Sequence, residues 1–291
     1  MLRNDGIPRA ARRLVAAAAL AAGFGCRGTA SSAGDAASSA APLFRVEARD
    51  HAFRAPARVA TAPGGLVRVR LVNRGAAWHE ALIVRLEGEG RRAATYVDSV
   101  RAGADFPGFA VDLGGPGLTV PGDSTDLLVP LAPGRYALVC WFADHVKLGM
   151  VHDFEVTPDS PPGVGPETAA EPAADLVATM FDYAFRLSGP VAAGPHLIRV
   201  ENRGPQPHEL DFFRLRPGRT ARDYLAWTAG GRKGPAPAVP VGGTLDFLPG
   251  HRVWLPVTFE RGRHFAVCHV PDAGDGRPHY DRGMVLEFDV P

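Results

Sequence analysis

One stretch of this chain occurs twice, and that constrains the fold more than anything else in it. "NRGAAWHEALIVRL" (residues 73–86) returns as "NRGPQPHELDFFRL" (residues 202–215), with Asn-Arg-Gly, His-Glu and Arg-Leu in register. "AVDLGGPGLTVPGDSTDLLVPLAPGRYALVC" (110–140) is matched without a gap by "AVPVGGTLDFLPGHRVWLPVTFERGRHFAVC" (238–268), keeping the Gly-Gly, Pro-Gly and Gly-Arg pairs, which read as turns. "DHAFR" (50–54) mirrors "DYAFR" (182–186), and "GMVHDFEV" and "GMVLEFDV" close the two copies. A repeat unit of about a hundred residues is the size of one domain. Between the copies, "TPDSPPGVGPETAAEPA" has the composition of a semi-extended linker. The expected organisation is residues 1–41 as signal and tether, 42–157 as the first domain, 158–173 as linker and 174–291 as the second domain.

Within each copy the apolar pattern has the period of strands. "LVRVRLVN" and "LIRVEN" alternate, as do "STDLLVPL" and "HRVWLPVTF", while "RYALVC" and "RHFAVC" are short apolar runs after a glycine. Helical spacing occurs at "RAATYVDSVRAG" and "TARDYLAWTAGG", at equivalent places in the copies. With 34 glycines and 27 prolines, the pattern predicts an all-β protein: two tandem Greek-key sandwiches, each with one short helical excursion. The charge is nearly balanced, 32 basic against 31 acidic residues without a basic stripe, so nucleic acid is not an expected partner.

The first forty residues have the pattern of an export segment. Arg3, Arg9, Arg12 and Arg13 precede the apolar run "LVAAAALAAGFG", which is short for a membrane span and is followed by Cys26 and the small, polar "RGTASSAGDAASSAAP". A cysteine placed there resembles the lipidated cysteine of bacterial lipoproteins, although Gly23 stands where their motif usually has leucine. This implies an exported chain in the periplasm or on the outer face of a bacterial membrane, anchored by lipid at Cys26; plain cleavage nearby or an uncleaved anchor are the alternatives. An exported chain usually pairs its cysteines. Here Cys140 and Cys268 occupy equivalent positions in separate copies, which argues against a disulfide between them.

What recurs among polar and sulfur-bearing residues is His79, Cys140, His145 and Met150 in one copy, and His208, Cys268, His279 and Met284 in the other. Taken singly, each is an ordinary strand or core residue. Their joint recurrence, while Trp141 changes to His269 and His152 to Leu286, has no packing explanation. A thiolate, two imidazoles and a thioether are the donor set of a copper site, with Cys and both His in a plane and Met as a long axial ligand.

On these residues both copies resemble cupredoxins, the blue-copper domains. Asn-x5-His and Cys-x4-His-x4-Met in the first copy match spacings of that family; the second keeps His-x4-Met and lengthens the segment between Cys268 and His279, which would hold its ligand less firmly. The resemblance implies one copper per domain, cycling between Cu(II) and Cu(I) in one-electron exchange with redox partner proteins. It also implies that the loop histidine, His145 or His279, is the partly exposed edge through which electrons leave. Trp141 and Phe142 would form an apolar docking surface there, unless they belong to the core. Glu80 and Glu209 stand where many members of the family carry a buttressing Asn, so support for the ligand loop is expected from elsewhere. Two-domain enzymes of this family carry further copper on His-x-His pairs or on a His before the cysteine. This chain has no such pair and places Val139 and Val267 before its cysteines; an electron carrier is therefore favoured over an enzyme. A copper storage or delivery protein, and a subunit of a multicopper-oxidase or nitrite-reductase type enzyme, remain as alternatives. His51, His251 and His264 are not repeated between copies and read as surface or strand-filling residues; His269 is the exception, because multicopper oxidases carry a histidine directly after the copper cysteine.

Overall fold

The computed structural model describes residues 41–61, 65–104, 106–158 and 171–291. Cys26, the export segment and most of the expected linker lie outside the described residues. Strands β1 (Leu43–Arg49), β2 (Ala52–Arg54), β3 (Arg58–Ala60), β4 (Leu66–Asn73), β5 (Leu82–Leu86), β6 (Ala110–Asp112), β7 (Ser124–Pro130), β8 (Gly134–Val139) and β9 (Val151–Thr157) build the first copy. The second contains β10 (Leu176–Phe181), β11 (Ala184–Leu187), β12 (Gly194–Asn202), β13 (His208–Leu215), β14 (Ala238–Phe247), β15 (Arg252–Phe259), β16 (Gly262–Val267) and β17 (Val285–Val290). In each copy one sheet packs on another over alternating buried residues, as in β4, where Val67, Val69 and Leu71 point inward. The architecture is the expected all-β pair of sandwiches.

Both helical excursions are present, at Ala93–Arg101 and Ala221–Ala229. The second is held by a capping box, Thr220 with Asp223. Each helix also has its first N–H bound by a carboxylate of the last strand of its copy: Ala93 donates to Asp153 at 2.7 Å and Ala221 to Glu287 at 2.9 Å. The helices are thereby fixed against the strands that follow the Cys–His–Met segments.

The two copies are joined along both layers, which the repeat pattern did not foretell. Strands β7 and β15 meet antiparallel at Leu128 and Trp254, so that one eight-stranded sheet, β11-β10-β12-β15-β7-β4-β1-β2, runs through both. In the other layer the Gly-Gly segments pair with each other. Gly114 N donates to Asp246 O, Leu245 N to Gly115 O and Gly117 N to Gly243 O, each at 3.0 Å. At the centre Pro116 bridges Thr244, its own counterpart in the repeat. These glycines are thus not turns but the seam between the copies. Across the seam a Cβ on Gly114 would fall 2.9 Å from Thr244 Oγ1 and one on Gly117 2.9 Å from the Gly243 carbonyl carbon; within the copies one on Gly115 would fall 1.9 Å from Ala81 O and one on Gly243 2.2 Å from a carboxylate oxygen of Asp211, so only glycine fits at these positions.

Gly115→Ala is expected to cost roughly 2–3 kcal/mol, as overpacking at a closed contact does. Because both layers and one apolar cluster cross the seam, calorimetry of the chain should give a single transition. Two resolved transitions would show that the copies unfold independently.

Candidate metal centres

Each four-residue set expected from the sequence is assembled in one place at one end of its sandwich. His79 lies just before β5 and is bridged to Thr119, whereas His208 opens β13. Cys140 and Cys268 directly follow β8 and β16. His145 sits within a short 3-10 segment (Phe142–Leu148) and His279 begins another (His279–Arg282). The loop geometry is repeated bond for bond: Met150 N donates to His145 O and Cys140 N to Met150 O, as Met284 N does to His279 O and Cys268 N to Met284 O. Gly149 and Gly283, at φ 92° and 101°, make the left-handed bend that returns each methionine to the core.

In the first copy Cys140 Sγ is 3.9 Å from His79 Nδ1 and 3.5 Å from His145 Nδ1. In the second, Cys268 Sγ is 3.4 Å from His279 Nδ1, which lies 3.0 Å from His208 Nδ1. In both, the atoms that converge are Nδ1, Sγ and Nδ1, and the methionines are wholly buried in the same apolar cluster as the cysteines.

What turns the first histidine the right way is a pair of residues common to both copies. Asp182 Oδ1 accepts from His208 Nε2 at 2.8 Å, and Asp50 Oδ1 stands 3.5 Å from His79 Nε2. Holding the proton on Nε2 leaves the Nδ1 lone pair free. Asn73 and Asn202 shape the turn in between: each accepts from the N–H of the following glycine and donates to two backbone carbonyls. Gly75 and Gly204 leave the space, for a Cβ there would lie 2.7 Å or 2.5 Å from the imidazole Nε2. The repeated Asp-x-Ala-Phe-Arg and Asn-Arg-Gly carried this signal, but the sequence reading assigned the aspartates no role.

Support for the segment after the cysteine comes from Glu80 and Glu209 themselves, contrary to the expectation that it must come from elsewhere. His269 N and its Nδ1 both approach Glu209 Oε1, at 2.6 Å and 2.9 Å, and the N–H groups of Trp141 and Phe142 point at the Glu80 carboxylate. The glutamate backbones serve the cysteines as well: Glu80 and Phe142 N–H groups aim at Cys140 Sγ, Glu209 and Val270 N–H groups at Cys268 Sγ.

Three further expectations are corrected. The loop histidines are not partly exposed: His145 is 5% exposed and His279 wholly buried. A ring covers each edge-on, His51 over His145 at 5.0 Å and Tyr183 over His279 at 5.4 Å between centroids, both from residues with φ near +60°. His51 is therefore part of the site's surround. Trp141 packs edge-on against Tyr96 of its own copy, and Phe142 lies 6.0 Å from Trp78 and under the Arg232 guanidinium of the second copy, so they are not a free docking face. Nor is the long segment from Cys268 to His279 loosely held. Asp272 accepts from Gly274 and Asp275 N–H and from the Tyr183 hydroxyl, Gln206 spans to Ala273, and Pro271 bridges Pro278. His264, packed between Phe259 and Phe288, is a core residue, as its reading implied.

In both sandwiches the four residues take the placement that the resemblance to cupredoxins implies. No family model matches the chain, and no curated protein sequence does. Among solved structures, dithionite-reduced auracyanin from Roseiflexus castenholzii is 22% identical over 41% of this chain and 99% of its own, with a TM-score of 0.30. The blue copper oxidase of Nitrosomonas europaea is 16% identical over 86% of each chain, TM-score 0.25. The copper-containing nitrite reductase of Thermus scotoductus is 14% identical over 86% of this chain and 62% of its own, TM-score 0.23. The fold itself rests on the strand pairing described above.

Burial pushes all four imidazoles below the ordinary histidine value, outweighing Asp50 and Asp182, and lifts both thiols far above theirs. The rings are thus neutral at pH 7, with His279 Nε2 buried and without a partner. Below about pH 6.5 the unfolded chain binds more protons at these rings than the folded chain does. As pH drops from 7 to 5 these rings therefore subtract stability from the metal-free chain, while the buried carboxyls Glu80, Asp112, Asp211 and Asp246, raised in the fold, add it. Thermal melts across that range isolate the histidine part: His279→Gln should lose less stability on acidification than the unaltered chain.

Proposed function

We propose that this chain is a copper protein of the cell envelope that carries single electrons, with one type 1 site at His79, Cys140, His145 and Met150 and a second at His208, Cys268, His279 and Met284. The reading is carried by one observation: in two diverged copies, buried Nδ1, Sγ and Nδ1 atoms converge beside a buried methionine. Thiolate, imidazole and thioether together suit copper better than the harder divalent ions. The chain supplies what such a centre requires. Asp50 and Asp182 orient one imidazole in each copy, paired backbone N–H groups face each sulfur, and the thiols, protonated while buried and metal-free, would release their protons to solvent as the ion binds. When bound, copper would supply a Cu(II)/Cu(I) couple. Four protein donors leave no open position for a substrate, which favours electron transfer over small-molecule chemistry.

Auracyanin A is described as a blue copper protein, and the other two similar structures as a copper-containing nitrite reductase and a blue copper oxidase; the partners belonging to this proposal are redox proteins. Export, and attachment to the membrane through lipid on Cys26, belong to the same proposal.

Copper loading of the mature chain should bind two ions with a thiolate-to-Cu(II) band in the visible, and Cys140→Ser and Cys268→Ser should each remove one ion. Cu(I) binding without a visible band would instead favour storage or delivery, and turnover of a small oxidant would favour an enzyme. No copper and no band would overturn the proposal.

A further inference from the structure

The seam between the copies opens into a cleft of about 280 Å³. Five carboxylates line it, Glu80 and Asp112 from the first copy and Glu209, Asp211 and Asp246 from the second, against Arg232 and His269 as the basic side chains. Burial lifts Asp112 to about 7, and burial together with the charge of neighbouring carboxylates pushes Glu80 up to about 8 and lifts Asp211 and Asp246 well above the carboxylate range. Asp112 and Asp246 are neighbours across the seam, and burial is the largest cause of the rise in both.

Asp211 is the least expected member. It is 3% exposed, it takes a hydrogen bond from Leu118 N–H, and its Oδ1 has no hydrogen-bond partner. Gly117 and Gly243, one from each copy, clear space for that oxygen, since a Cβ on either would fall 2.6 Å or 2.2 Å from it. His269 Nδ1 lies 2.9 Å from Glu209 Oε1 and 3.9 Å from Asp211 Oδ2, and the donor atoms of these three residues all fall within 4.8 Å of one another.

The repeat shows that the fold does not require this chemistry. At the positions of Asp211, Asp246 and His269 the first copy carries Leu82, Leu118 and Trp141. The second copy has two acids and an imidazole where the first has two leucines and a tryptophan, and ionising those carboxyls in a buried place carries a cost unless a counter-charge is present. A bound cation offsets that cost. We propose that Glu209, Asp211 and His269 form a third metal site between the copies, for a divalent first-row ion that accepts carboxylate and imidazole ligands. The site shares no donor atom with either His–Cys cluster. It stands beside the second cluster, because His269 follows Cys268 in the chain and Glu209 follows His208.

The test uses the mature chain, loaded with copper and reduced with ascorbate so that copper is silent in EPR. Mn(II) is then titrated in and the free ion read by EPR, with Zn(II) followed in parallel by equilibrium dialysis. Mn(II) takes thiolate poorly, so it reports the carboxylate site whether or not the clusters are filled. One ion per chain is expected. Asp211→Asn, which keeps the shape, and Asp211→Leu, which installs the residue of the first copy, should each weaken binding by about tenfold or more while copper content stays unchanged. Absence of Mn(II) and Zn(II) binding below about millimolar levels, or equal binding by Asp211→Asn and the unaltered chain, would overturn the proposal.

Discussion

Close backbone approach at the Gly-Gly seam is the constraint on which the rest of this molecule depends. Gly114 to Gly117 and Gly243 to Asp246 bring the layers of the two copies within hydrogen-bonding distance, and one apolar cluster runs through both copies. That contact sets Glu80 opposite Glu209, places Phe142 under Arg232 of the second copy and creates the acidic cleft. It also leaves each Cys–His–Met segment with one flank against the other copy and one against solvent.

Much of the fold was legible because the duplication doubled every signal. The strands of alternating pattern, both helices and the gathering of His79 with Cys140, His145 and Met150 all follow from residues that recur in register. What was not legible depends on approach in three dimensions. Gly114-Gly115 reads as a turn in any linear pattern, and only its backbone bonds to Asp246 and Leu245 of the other copy show otherwise. Glu80 differs from the Asn of the resembling family in charge, so its role looked lost; a carboxylate oxygen nonetheless accepts from the N–H after the cysteine as an amide oxygen would. The long segment after Cys268 looked loose because length is visible in a sequence and the five bonds to Asp272 are not. His51 looked incidental because Tyr183 stands in its place, yet both are rings in the left-handed region over a loop histidine.

The two centres are built alike but not equally tightly. Asp182 is within hydrogen-bond distance of its histidine, whereas Asp50 is looser, and a phenol covers one loop imidazole where the other has a more exposed imidazole. A firmer, drier surround restricts reorganisation of the donors and disfavours added charge. The second centre is the more constrained of the two, although its donors are spread over the longer stretch of chain.

The pairing of Pro116 with Thr244, like with like, has a consequence for how such a molecule arises. A patch that binds its own counterpart is the interface of a two-fold dimer. Placing both halves on one chain replaces a concentration-dependent encounter by an effective concentration on the order of millimolar. It also removes the requirement that the halves be identical. Only after such a fusion can one partner of a symmetric contact become Asp211, Asp246 and His269 while the other keeps Leu82, Leu118 and Trp141.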